Sequence, residues 1–182
     1  MKRVTWVSDL AGLAHQPTHS IEQWLTKPTI LSQALKRHCQ SLSVEVLSQQ
    51  FMAVDETESK LVERDATEPF VRRVFLYGDN QPWTYGRVVI ASSTYQTYFA
   101  QFMALGFKLL GETLLYGNPD TTRSEFEYAV VPQDSALFQE IHQHLPLTHE
   151  RLWARRSYFY LKGAPLLVTE VFLPLLPDYG RE

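Results

Sequence analysis

The 182-residue chain reads as an α+β protein, an antiparallel β-sheet with helices packed on one face. Three observations predict this. Apolar and polar residues alternate with period two in several segments, which is the mark of half-buried strands. Two pairs of those segments are joined by short turn-forming clusters, so they fold back as hairpins and not through crossover helices. The helical patterns are short and fall between the hairpins. A hydrophobic content of 45% without a low-complexity tract is enough for a buried core, and the length fits one domain spanning 1–182.

Taken in order, Ser20 and Gln23 form a capping-box pair, predicting a helix from Ile21 that Pro28 ends. Thr29 then caps a second helix, whose Leu31, Ala34, Leu35 and His38 make one apolar stripe with Gln33, Lys36 and Arg37 outside it. From Leu42 the period changes: Leu42, Val44 and Val46 alternate with Ser43 and Glu45, a strand running towards Phe51. Residues 55–68 are charged and weakly patterned, a loop. Residues 70–77 and 82–92 flank the turn cluster Gly78-Asp79-Asn80-Gln81, and residues 153–161 and 166–173 flank Lys162-Gly163-Ala164-Pro165. Between these hairpins lie a helix over 94–105 ended by Gly106, a strand over 125–131, and a helix from an Asp134 cap to about His144.

Composition excludes several functions. A net charge of −3 offers no basic excess for a phosphate backbone, so no nucleic-acid partner is expected. The single cysteine, Cys39, has no partner for a disulfide, which fits a reducing, cytoplasmic compartment. Met1-Lys2-Arg3 is followed by an apolar stretch broken at Ser8, Asp9 and Gly12, so secretion is not expected. The apolar run 166–176 is interrupted by Thr169, Glu170 and Pro174, so no membrane insertion is expected. The six histidines are scattered, and His142 with His144 lacks the spacing that puts two ligands on one helical face; no metal is expected.

Two charges stand in the wrong place. In a strand, residues two apart share a face. Glu170 therefore lies with Leu166, Val168 and Phe172, and Arg72 with Phe70, Val74 and Leu76, so both look buried. An unpaired buried charge costs several kcal/mol. One solution is an Arg72–Glu170 salt bridge between neighbouring strands. The other is a ligand slot with a cation at one end and a carboxylate at the other.

The run Arg72-Arg73-Val74-Phe75-Leu76-Tyr77-Gly78-Asp79-Asn80-Gln81-Pro82-Trp83, continuing through Gly86-Arg87-Val88-Val89, resembles the central hairpin of bacterial chorismate lyases. Leu152-Trp153-Ala154-Arg155-Arg156-Ser157, then Gly163 and Pro165-Leu166-Leu167-Val168-Thr169-Glu170-Val171-Phe172-Leu173-Pro174, is similar to the closing hairpin of that family. Leu105-Gly106-Phe107-Lys108-Leu109-Leu110-Gly111 resembles its Leu-Gly-x-x-x-Leu-Gly segment. The match covers about half the chain.

The resemblance implies a cofactor-free carbon–oxygen lyase that converts chorismate to 4-hydroxybenzoate and pyruvate, the first committed step towards ubiquinone, acting as a monomer on a ligand covered by helices. It places the ligand-binding arginine at Arg72, the active-site glutamate at Glu170, and further ligand contacts at Leu110 and at Leu31, where leucine stands in place of a family methionine. Arg155 and Arg156 are possible supporting residues; being on opposite strand faces, at most one can reach the same pocket. The segment 116–151 is longer than the family pattern by roughly a strand and a helix, and its Arg123 reads more simply as a solvated turn arginine than as a lid residue. The competing reading is a non-catalytic small-acid effector-binding domain of the same fold, as in bacterial transcription regulators. The residues before Leu42 offer no basic recognition helix for such a regulator.

Overall fold

The computed structural model describes residues 1–61, 65–105, 115–116 and 118–180. The elements are α1 (His19–Thr26), α2 (Leu31–Lys36), β1 (Leu42–Phe51), α3 (Glu56–Ser59), β2 (Phe70–Gly78), β3 (Gln81–Ile90), α4 (Ser92–Thr97), α5 (Phe99–Leu105), β4 (Thr121–Arg123), β5 (Glu127–Pro132), α6 (Ala136–His142), β6 (Arg151–Leu161) and β7 (Ala164–Phe172). The strands form one seven-stranded sheet in the order β1-β2-β3-β7-β6-β4, with β5 continuing the β4 edge along β6. Every pairing is antiparallel, as the hairpin signals predict.

Turn chemistry sets the registers. In the first hairpin Asp79 and Asn80 take positive φ values of 48° and 66°, the two-residue turn that matches strand twist. In the second, Lys162 and Gly163 do the same at 50° and 81°. The second turn is therefore two residues long, not the four of the sequence cluster, and pairs Leu161 with Ala164 and Arg155 with Glu170. A β-bulge between Val46 and Ser48 bends the edge strand β1 against β2.

Several caps differ from expectation. Thr18, not Ser20, accepts from the Ile21 amide at the start of α1, while the Ser20 hydroxyl accepts from the Tyr179 amide. α2 starts without a side-chain cap, since Ile30 and not Thr29 stands at the N-cap position. Ser135, not Asp134, caps α6, because Asp134 is paired with Lys2. The 55–68 stretch contains α3, capped by Asp55 and carrying a buried glutamate, Glu58. The expected 94–105 helix is split at Tyr98, whose hydroxyl donates to the Leu161 carbonyl of β6. β4, three residues long, is too short to show a period in the sequence. Gly106 lies outside the described residues.

The core is divided by the sheet. Phe75, Tyr85, Val171 and Ala154 line up across four strands and pack against Phe138 and Ile141 of α6. The adjacent row, Val74, Gly86, Glu170 and Arg155, opens to the other face. There Trp24, Leu25, Leu31, Ala34 and Leu35 of α1 and α2 cover Trp83 and Phe172. Tyr95 and Phe102 of α4 and α5 cover Phe70, Val88, Ile90, Phe159 and Leu166 on the same side. The helices thus gather on the face of Arg72 and Glu170, as expected for this fold class, and α6 with α3 additionally closes the opposite one. No helix among the described residues is long and apolar enough to cross a membrane.

Gly78 is a case of required close approach: a Cβ there would fall inside the Trp83 ring. The indole is buried in the α1/α2 layer, so it has no free volume to move into. Gly78→Ala is expected to cost about 2 kcal/mol by overpacking. Urea unfolding measures the loss, and a variant as stable as the parent would show that Trp83 can be displaced freely.

Candidate active site

Arg72, the third residue of β2, is 4% exposed and donates from Nη1 to Oε1 of Gln49, its pairing partner on β1, at 3.1 Å. Burial pulls its guanidinium down to about 10. Glu170 lies on the same face, separated from Arg72 by strand β3 and offset by two residues, since Arg72 pairs with Val88 and Glu170 with Gly86. Strand spacing and rise put the two Cα atoms on the order of 12 Å apart. Among the described residues they form no ion pair with each other, so the simple Arg72–Glu170 salt bridge is not how the two charges are accommodated.

The partner of Glu170 is Arg155, its neighbour on β6, with Nε to Oε2 at 2.6 Å. Arg155 is fully buried. Its Nη1 donates to the carbonyls of Pro28, at 2.6 Å, and Leu25, at 3.3 Å, both in the connection between α1 and α2. The guanidinium also lies 4.2 Å from the centroid of the Phe126 ring. Every contact of this cation is charge-assisted or aromatic, which is how a desolvated arginine is tolerated. One side chain therefore joins the carboxylate to the segment that covers it.

The next carbonyl along, Thr29, accepts from Tyr116 Oη at 3.1 Å and Arg123 Nη1 at 3.0 Å. Burial first, and then the negative Glu170, push the Tyr116 phenol up, with Arg123 and Arg155 acting against the rise. Tyr116, Arg123, Arg155 and Glu170 thus share one electrostatic neighbourhood. Gly86, beside Glu170 in the row, has no side chain, and an added Cβ would press on Val74 Cγ2 at 3.1 Å. The sheet is bare there.

Of the residues picked from the sequence, Arg72, Glu170, Arg155 and Leu31 are on this face, Leu31 buried at the head of α2 over Trp83 and Phe172. Leu110 lies outside the described residues. Arg156 points through the sheet to the other side, where it pairs with Glu127 at 2.7 Å and lies 4.4 Å from the Trp6 ring. That opposite face has a cavity of about 320 Å³ lined by Trp6, Glu58, Arg87 and Arg156. Its buried Arg87 is committed on all sides: Nε and Nη2 bond Glu58 and Nη1 bonds Glu140, which also accepts from the Tyr85 hydroxyl. Tyr116 belongs to no periodic segment, and Phe126, near the start of the strand expected over 125–131, carried no sign of a role there; both meet the site only through long-range folding.

Glu170→Gln is expected to cost on the order of 1–3 kcal/mol in unfolding free energy, less than a fully buried pair because Glu170 is 21% exposed and glutamine keeps an acceptor for Arg155. Adding Arg155→Met should recover part of that loss. Arg72→Met removes a side chain bonded to Gln49 and not to Glu170, so its effect on stability should be independent of any change at Glu170 or Arg155. Additive losses in the Glu170/Arg155 double variant, or coupling between Arg72→Met and Glu170→Gln, would contradict this division of roles.

A family model described as chorismate lyase matches residues 1–181. The chorismate pyruvate-lyase of Yersinia enterocolitica is 34% identical over 162 residues, covering 88% of this chain and 85% of that protein. The probable chorismate pyruvate-lyase of Pseudoalteromonas atlantica is 32% identical over 182 residues, covering 97% and 90%. Among solved structures, the C-terminal domain of the histidine utilization repressor from Pseudomonas syringae superposes with a TM-score of 0.52 at 11% identity, covering 78% of this chain and 98% of that one. The effector domain of PhnF from Mycobacterium smegmatis does so with a TM-score of 0.52 at 9% identity, covering 74% and 82%. Those two likenesses are of fold alone; the match over nearly the whole sequence is what assigns the chain to the chorismate lyase family.

Proposed function

We propose that the protein is a chorismate pyruvate-lyase that forms 4-hydroxybenzoate and pyruvate without metal or organic cofactor, the first committed step towards ubiquinone. The observation that carries the reading is the placement of a buried arginine and a glutamate on one sheet face, one strand apart and not bonded to each other, in a chain of this family. Arg72 binds the ring carboxylate, for which a guanidinium offers two parallel donors. Glu170 accepts from the ring hydroxyl at the other end, and Arg155 fixes the direction of that carboxylate. With the ring held at both ends, the ether carbon–oxygen bond breaks as hydrogen leaves the hydroxyl-bearing carbon. The enolpyruvyl fragment gains that hydrogen to become pyruvate, and the ring becomes aromatic. Aromatisation supplies the driving force, so orientation and exclusion of water are the protein's main tasks.

The second reading is a domain that binds a small acid without converting it, the use suggested by the regulator domains of similar fold. It is separated from the first by one assay. Chorismate incubated with chelator-treated protein should give equimolar pyruvate and 4-hydroxybenzoate, with Arg72→Met abolishing ring-acid binding and Glu170→Gln lowering kcat more than affinity. Binding of 4-hydroxybenzoate with no pyruvate would favour the sensor, and loss of activity on chelation would overturn the cofactor-free mechanism.

The cover over the site is tied to Arg155 through the Leu25 and Pro28 carbonyls, so product release requires those hydrogen bonds to break. A burst of about one product equivalent before the steady state is expected, with 4-hydroxybenzoate inhibiting at lower concentration than benzoate. Linear progress curves and equal inhibition by the two acids would show that opening does not limit turnover.

A further inference from the structure

Chorismate carries a second carboxylate, on the enolpyruvyl side chain that leaves as pyruvate, and neither Arg72 nor Arg155 is available to it: Arg72 serves the ring carboxylate, and Arg155 is spent on Glu170 and two backbone carbonyls. We infer that Arg123 binds this second carboxylate and so determines specificity for the dicarboxylate substrate over the monocarboxylate product. The inference rests on the chorismate reading.

Arg123 ends β4 on the sheet edge beside β6 and is half-exposed, as a residue at the mouth of the site would be. Its guanidinium lies 4.2 Å from the centroid of the same Phe126 ring that carries Arg155. Stacking fixes the plane of the guanidinium while leaving its edge free to offer paired donors. Nη1 donates to Thr29, the residue after the one held by Arg155, and Tyr116 is hydrogen-bonded beside it. No carboxylate lies within ion-pair distance of Arg123 among the described residues. Glu125, two residues on, acts on the Tyr128 phenol and makes no ion pair with it.

Once the ether bond breaks, the leaving fragment is held by Arg123 at the edge, outside the part of the slot that retains the aromatic acid.

The test compares wild type, Arg123→Gln and Arg123→Lys for chorismate kinetics and for inhibition by 4-hydroxybenzoate, which lacks the second carboxylate. Loss of one charge-assisted carboxylate contact should raise KM for chorismate by about ten- to a hundredfold in Arg123→Gln. The inhibition constant of 4-hydroxybenzoate should stay within about twofold of wild type, and lysine should restore part of the lost chorismate affinity. An unchanged KM overturns the assignment. So does a parallel loss for both ligands, which would reduce Arg123 to holding Thr29. If Arg123→Gln does not fold, the Arg123→Lys comparison decides on the same ratio. Wild-type protein that forms no pyruvate would overturn the chorismate reading itself, a result distinct from either outcome for Arg123.

Discussion

The pair between Arg155 and Glu170 is the contact on which the site depends. A carboxylate placed on a sheet face among apolar side chains needs a cation, and a fully buried guanidinium needs acceptors for its remaining donors. Arg155 meets both needs together by bonding Glu170 on one side and the Pro28 and Leu25 carbonyls on the other. The position of α1 and α2 over the sheet is therefore coupled to the orientation of Glu170, and packing of Trp24, Leu25 and Leu35 on Trp83 and Phe172 supports the same arrangement from the apolar side.

The two faces of the sheet handle charge differently. Behind the site, Arg87 is enclosed by Glu58 and Glu140, and Arg73 also reaches Glu140 at 3.5 Å. Glu58 and Glu140 together raise the Arg87 guanidinium in spite of the burial that opposes them. On the site face burial prevails at Arg72 and lowers it. A cation enclosed by carboxylates, as Arg87 is, has little left to give a ligand.

Much of this was legible in the sequence. Period-two parity alone placed Arg72 and Glu170 on buried faces, and Asp79-Asn80 announced a hairpin turn whose geometry is seen in the positive φ values. The link between Arg155 and Glu170 depended on the length of the second turn. A four-residue reading of Lys162 to Pro165 sets Glu170 opposite Ser157, and only the two-residue turn at Lys162-Gly163 sets it opposite Arg155. The parts that were not legible are long-range. Glu58 as the partner of Arg87, Thr29 as a shared acceptor, and Phe126 beneath two arginines each join segments far apart in the chain, with no local pattern to announce them. The caps at Thr18 and Ser135 differ from the residues chosen for a similar reason, since Ser20 and Asp134 are occupied by Tyr179 and Lys2.

The bulge between Val46 and Ser48 has a consequence for how the molecule meets its own copies. β1 is the outermost strand on its side of the sheet, ten residues long, and a flat strand of that length would present an open ladder of amide and carbonyl groups to a second chain. The extra residue interrupts the ladder near its middle and increases the local twist, so neither half offers a long straight template. Exposed Ser43 and Glu45 add polar and charged side chains to the same edge. The strand that closes the sheet is thereby shaped against edge-to-edge pairing.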